Sequence, residues 1–296
     1  MNAKNAQCSK PTWLKSSLPG GEQYFAIKKD LRVRHLATVC EEAKCPNIGE
    51  CWNTRTATFM LMGDTCTRAC RFCHIKTHAA PALPDKDEPR NVAESCQTMR
   101  LKYVVMTMVN RDDLPDGGAG HIASVVQEVK ALNPSMDIEL LVGDFGGNEN
   151  AIRTVVNARV QVYAHNLETV ERLSPRVRDA RAHYQQSLQT LRLAKETADY
   201  KLYTKSALML GLGERWDEIR QAMADLREHN VDFLTIGQYM RPTKKHLTVK
   251  QWVHPDIFAQ LKAEAETMGF KGVASAPLVR SSYKAAEFFK HATSVC

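Results

Sequence analysis

Short apolar runs recur along the chain with amphipathic stretches between them. Residues 56–62, 103–108, 138–142, 160–164, 202–210 and 233–236 each read as a buried strand, with room for a further one near 272–274. Ile122, Val125, Val126 and Val129 keep helical spacing, as do Leu188, Leu191 and Ala194; another helix opens at Trp216 and runs through Met223 and Leu226. Buried strands alternating with helices imply βαβ units and a parallel sheet. Six β/α units are too few to close an eight-stranded barrel. The pattern therefore predicts an α/β fold of the open kind, a partial (β/α)6 barrel, in preference to a doubly wound sheet. In either architecture active residues belong at the carboxyl ends of the strands. The first 30 residues are polar, with Pro19-Gly20-Gly21 as a turn, and read as an extended arm. Residues 31–43 read as a short helix, and residues 81–89 as a surface loop.

A chain of 296 residues holds one large α/β domain or two small ones. Hydrophobic residues at 44% and charged residues at 25% are ordinary for a soluble globular protein. No apolar run approaches the roughly 20 residues of a membrane span. The start, Met1-Asn2-Ala3-Lys4-Asn5, leads into no apolar core of a secretory signal, so the expected address is the cytoplasm. The net charge of +7 is dispersed, and Lys28-Lys29 and Lys244-Lys245 are the longest uninterrupted basic runs. No nucleic-acid-binding arm stands out. Scattered charge serves solubility, or the docking of an acidic protein partner.

The nine cysteines change the picture, because six of them fall between Cys40 and Cys73. Clustered cysteines in a chain without a signal peptide point to metal rather than disulfides. After the first strand comes Gly63-Asp64-Thr65-Cys66-Thr67-Arg68-Ala69-Cys70-Arg71-Phe72-Cys73, a C-x3-C-x2-C spacing. Three thiolates on one loop suit a soft metal site. A [4Fe–4S] cluster normally takes four cysteines, so three would leave one iron open to a small molecule. Zinc, or cysteines that are merely buried, are the competing readings, although zinc sites favour paired C-x2-C halves. Upstream, Cys40, Cys45 and Cys51 form a C-x4-C-x5-C pattern that offers a second cluster, a zinc site or core packing. Cys96 reads as a small buried apolar residue, and Cys8 and Cys296 as unligated. Asp116-Gly117-Gly118 is a turn that opens a helix or a glycine-rich ligand contact.

The Cys66, Cys70, Cys73 spacing, with Phe72 before the last cysteine, resembles the radical S-adenosylmethionine superfamily. That resemblance implies an open iron chelated by the methionine part of S-adenosylmethionine, with Gly117 and Gly118 near its amino group. The protein would position and shield while the cofactor does the hard chemistry. The upstream trio is similar to the lipoyl synthase family in particular. So are the runs Cys45-Pro46-Asn47-Ile48-Gly49-Glu50-Cys51-Trp52, Arg111-Asp112-Asp113-Leu114-Pro115-Asp116-Gly117-Gly118, His165-Asn166-Leu167-Glu168-Thr169, Leu234-Thr235-Ile236-Gly237-Gln238-Tyr239 and Arg280-Ser281-Ser282-Tyr283.

The resemblance spans residues 31–283 and implies a sulfurtransferase with two [4Fe–4S] clusters. Cys40, Cys45, Cys51 and Ser282 would hold the auxiliary, sulfur-donating one. Asn166 and Glu168 are candidates for polar contacts to cofactor or substrate, or else form a helix-start network. Arg280 stands near the donor cluster or pairs at the surface. The implied reaction makes two C–S bonds, at C6 and C8 of an octanoyl group, using one cofactor per hydrogen abstraction. The implied partners are octanoylated carriers (lipoyl domains of 2-oxoacid dehydrogenases, glycine cleavage H protein) and a low-potential donor such as ferredoxin or flavodoxin. The chain then divides into 1–55, carrying the auxiliary cysteines, 56–275, the barrel, and 276–296, supplying the serine.

The chain departs from the family pattern at Met108 and Asn110 (Ser and Asp expected), Gly143 (Pro), His74 (Asp), and Ala207 and Ala276 (Gly). Other readings are a divergent paralogue acting as another radical sulfur-inserting enzyme, and a two-cluster electron carrier. A bacterial ferredoxin run of four close cysteines ending in Cys-Pro is absent, which argues against the carrier.

Overall fold

Seven parallel strands, in sequence order, form the body of the computed structural model, which describes residues 10–294 apart from residues 17 and 55. The strands are β1 (Ala37–Thr38), β2 (Thr58–Leu61), β3 (Thr65–Cys66), β4 (Lys76–Thr77), β5 (Tyr103–Met108), β6 (Asp137–Leu141), β7 (Val162–Ala164), β8 (Tyr203–Leu210), β9 (Phe233–Gln238) and β10 (Gly272–Ser275). The main sheet runs β1-β2-β5-β6-β7-β8-β9-β10, and β3 pairs with β4 apart from it. The partial barrel expected from the sequence is therefore observed, and the strand suspected near 272–274 is its seventh parallel member. Cys8, Cys296, the Met1–Asn5 start and the outer ends of the first and last expected parts lie outside the described residues.

Helices α1 (Glu22–Val33), α2 (Val39–Glu42) and α3 (Ile48–Asn53) precede the barrel. Around it follow α4 (Glu88–Thr98), α5 (Ala119–Leu132), α6 (Glu149–Asn157), α7 (Ser174–Val177), α8 (Tyr184–Thr197), α9 (Trp216–Glu228), α10 (Pro255–Thr267) and α11 (Ala285–Ser294). The periodic residues Ile122, Val125, Val126 and Val129 of α5 are all buried, as are Leu188, Leu191 and Ala194 of α8. Strands such as β2 and β9 are buried at every position, since helices cover one face and the barrel interior the other.

Two expectations need correction. The first 30 residues are not wholly an extended arm, because α1 begins at Glu22. Its buried side is thin, Ile27 and Leu31 alone, so the apolar period is faint in the sequence. The helix expected over 31–43 is broken at His35, which has φ +54°, and Ala37 and Thr38 leave it to pair antiparallel with Met60 and Phe59. That pairing fastens the N-terminal segment to the barrel edge.

The amino end of the barrel is filled by α11. Phe288 and Phe289 pack on Phe233, and Phe289 also on Tyr103 and Tyr203, all first residues of their strands. Beside them Lys205 and Glu139 form a buried ion pair at 2.8 Å, with the Tyr103 hydroxyl donating to Glu139. With that end closed by side chains, open space is left at the carboxyl end.

Candidate metal centre and its cavity

A cavity of about 1800 Å³ opens where the parallel strands end, lined by Met60 of β2, Thr107 of β5, Leu141 of β6 and Ala207 of β8. Cys40, Cys45, Cys66, Cys70, Cys73, Asn166, Glu168 and Ser282 line it too. Cys51, Gly117 and Gly118 do not.

The loop carrying Cys66, Cys70 and Cys73 is closed at its base by β3 and β4, with Cys66 beside Thr77. Backbone N–H groups of Arg68 and Asn110 approach Cys66 Sγ at 3.4 and 3.3 Å, and that of Asp179 approaches Cys70 Sγ at 3.3 Å. Such donors would steady a thiolate. Beneath the loop, buried Arg68 pairs with Asp112 and Asp144, both at 2.7 Å. Burial alone would raise the Asp144 carboxyl, but Arg68 and the nearby His165 hold it well below the usual carboxylate range. Asp179 accepts the Ala69 N–H at 2.8 Å, and Arg71 N–H donates to the Val177 carbonyl at 2.9 Å. Sequence reasoning missed this charged cradle. Arg68 stands between two cysteines and Asp112 in a quoted run, but spacing does not reveal that a charge is buried.

In the second trio, Thr38 caps α2 by accepting the Glu41 N–H, and Cys40 lies on that helix. Cys45 N–H donates to the Cys40 carbonyl at 3.0 Å as the chain turns through Lys44, which has φ +50°. Cys51 lies on α3, above buried Trp52. The segment bearing Ser282 is tied to this trio directly. Asn47 Nδ2 donates to the Leu278 carbonyl at 2.7 Å, the Tyr283 hydroxyl donates to the Glu50 carboxylate at 3.0 Å, and Lys284 pairs with Glu50 at 3.2 Å. Gly237 lets the segment cross β9, since a Cβ there would meet the Val279 carbonyl oxygen at 2.1 Å. Arg280 lines the cavity, where burial lowers its guanidinium and Cys45 opposes this.

The donor set fits iron–sulfur clusters. All six clustered cysteines are unpaired. Among the described residues no three His, Cys, Asp or Glu side chains are placed to hold a single metal ion. Three thiols on one short loop are soft ligands of the kind that iron–sulfur clusters take. Burial pushes Cys40 and Cys70 up to about 11, and Cys51 and Cys73 up to about 12. Ligation would therefore displace protons from these thiols.

Deeper in the cavity, Glu168 adopts φ +68°, uncommon for a side chain of its size, and the strand neighbours Ala207 and Leu208 hold it there. Asn166 Nδ2 donates to Glu168 at 3.1 Å, leaving the buried Asn166 Oδ1 without a partner. Burial raises the Glu168 carboxyl, opposed by Asn166 and Arg178. These acceptors could meet a ligand's donors. Gly117 and Gly118 instead form the turn into α5. Both have positive φ, and a Cβ on Gly118 would meet Met62 Sδ at 2.2 Å.

Of the departures from the family pattern, Met108, Asn110, Gly143, His74 and Ala207 line the cavity, and Ala276 does not. Two of them are one change in space: a Cβ at Gly143 would lie 2.2 Å from Asn110 Oδ1.

The sequence profile of the Radical SAM superfamily matches residues 60–226, and that of the N-terminal domain of lipoyl synthase of the same family matches residues 1–45. The chain is 54% identical over 280 residues to the apicoplast lipoyl synthase of Plasmodium knowlesi, covering 95% of this chain and 63% of that one. It is 52% identical over 294 residues to the mitochondrial lipoyl synthase 2 of Pisum sativum, covering 98% and 78%. The chain thus spans less than two thirds of the Plasmodium relative. Among solved structures it is similar in fold to methylornithine synthase (TM-score 0.57, 13% identity, 73% of this chain and 63% of that). A similar likeness holds for HydG, a maturase of the [FeFe]-hydrogenase (TM-score 0.57, 14% identity, 86% and 57%).

Proposed function

The chain belongs to the lipoyl synthase family of the radical S-adenosylmethionine superfamily, and from that premise we propose that it inserts sulfur at C6 and C8 of a protein-bound octanoyl group. The support that carries this reading is the opening of thiols from both trios, together with Ser282, on one cavity. Two [4Fe–4S] clusters and S-adenosylmethionine, when bound, supply a primary carbon radical for hydrogen abstraction and sulfide for the new C–S bonds. Cys66, Cys70 and Cys73 hold one cluster; Cys40, Cys45, Cys51 and Ser282 hold the other. Serine is a harder and poorer ligand for iron than thiolate, which suits a cluster that must give up its sulfur.

The C–H bonds to be broken are nonpolar, so the chain's own task is placement rather than proton transfer. Met60, Leu141, Val142, Leu208 and Met209 line the cavity and offer an acyl chain a dry wall. Asn166 and Glu168 contact the donors of the cofactor or substrate. Gly117 and Gly118, at the turn into α5, stand toward the methionine end of the cofactor. The division at 55/56 and 275/276 follows these roles. The octanoyl group arrives on a lysine of a small carrier, a lipoyl domain or glycine cleavage H protein, and electrons come from a ferredoxin or flavodoxin. No helix among the described residues is long and apolar enough to cross a membrane. The seven cysteines among the described residues are unpaired, which suits a reducing compartment such as the cytoplasm.

The test is mass spectrometry of an octanoyl-lysine carrier peptide after anaerobic incubation with reconstituted protein, S-adenosylmethionine and reductant. The expected product gains two sulfurs and loses two hydrogens. Cys45→Ala should lower its yield at least 100-fold while 5′-deoxyadenosine still forms. Formation of 5′-deoxyadenosine with an unchanged peptide would mean a different substrate. Absence of both from protein carrying both clusters would favour an electron carrier.

A further inference from the structure

His74 follows the last thiol of the 66–73 loop, and its ring reaches the other trio. Its Nδ1–H donates to the Glu42 carbonyl at 2.8 Å, and Glu42 ends α2 between Cys40 and Cys45. Among the described residues this is the one hydrogen bond joining residues 39–51 to residues 66–74. The other side of the ring lies against His246, with centroids 5.6 Å apart. His246 donates its Nε2–H to the Cys73 carbonyl at 2.8 Å and accepts the Thr243 hydroxyl at Nδ1, also at 2.8 Å. Because both partners are carbonyls, each ring is fixed in one tautomer. His246 belongs to the loop after β9, which also meets the thiol loop through Leu247 N–H and the Arg71 carbonyl at 3.3 Å. Three segments remote in sequence therefore converge on one imidazole pair. A carboxylate at position 74 would face the Glu42 carbonyl acceptor to acceptor and bridge nothing.

We propose that His74 is a positioning residue that fixes the separation of the two thiol-bearing segments, so that a carbon activated at one is met by sulfur at the other. This rests on the two-cluster reading above. The test compares His74→Ala with His74→Asn, whose Nδ2 stands where the histidine Nδ1 does. In the full chain without clusters, hydrogen exchange read by mass spectrometry should quicken over residues 40–45 and 243–247 in His74→Ala. It should return toward the parent in His74→Asn. In reconstituted protein, 5′-deoxyadenosine formed per sulfur inserted should rise at least threefold in His74→Ala and recover in His74→Asn. Unchanged exchange over 40–45, or an Asn variant no better than Ala, overturns the proposal. Loss of iron from the Cys66–Cys73 loop in His74→Ala also overturns it, since His74 would then support its own loop alone. If the parent makes no sulfur-bearing product, the two-cluster reading falls, and the exchange measurement still decides what His74 does.

Discussion

The two cysteine trios open on one cavity but are built in opposite ways. Cys66, Cys70 and Cys73 share one loop, underpinned by Arg68, Asp112 and Asp144 at the barrel's carboxyl end. Cys40, Cys45 and Cys51 need a segment from the far end of the chain: Asn47 and Leu278, which join the two, are 231 residues apart. Part of the fastening there is light, since the Glu50 and Lys284 side chains are 43% and 49% exposed. Exposed pairs contribute little, whereas one partner of a buried pair cannot be removed without leaving a stranded charge. The first trio is therefore underpinned by buried charge, and the second is tied in part by exposed pairs. That difference suits the proposed division into a cluster that persists and one that gives up its sulfur.

The largest effect should come from Arg68→Met, which leaves Asp144 buried beside no cation of its own. A loss of about 3–5 kcal/mol is expected, read as a fall in the urea midpoint. A loss below about 1 kcal/mol would erase the contrast between the two sites. Next is acid sensitivity on the barrel side. His165 donates to the Val142 carbonyl and faces Ser187. Burial, with Arg178 assisting, lowers it from 6.5 to about 4. Between those values the unfolded chain binds the proton and the folded chain does not, so stability falls as pH falls through that window. The loss should approach about 3 kcal/mol. Asp144 acts in the same direction lower down: its depressed carboxyl stabilises above the ordinary carboxylate range, and that contribution is lost as pH falls below it. A urea midpoint that stays flat from pH 7 to 4 would count against the His165 contribution, and one that stays flat below pH 4 against that of Asp144. The smallest effect belongs to Tyr283→Phe, which removes one half-exposed hydrogen bond worth about 1 kcal/mol. Exchange should quicken over residues 278–284 and stay unchanged over 66–73. A global fall matching that of Arg68→Met would show that the two sites open together.

Most strands were legible because short apolar runs alternate with amphipathic stretches, and the thiol loop because its ligands are neighbours in sequence. β1 escaped notice because two residues carry no period, and its pairing with β2 sets it. Buried charge escaped for a different reason: Arg68 reads like any surface arginine until Asp112 and Asp144 fold around it. Asn110 and Gly143 were each visible as a departure, but their contact exists only in space.

The long reach between Asn47 and Leu278 also sets an order of assembly. Closing a flexible loop of 231 residues costs about 5 kcal/mol of chain entropy, against under about 2 for a loop the size of 66–73. A nascent or partly folded chain can thus gather the first three thiols unaided, but can bring Ser282 to the other three only once the barrel between them has formed. Iron would enter the persistent site first, and completion of the consumable one would report that the chain had finished folding.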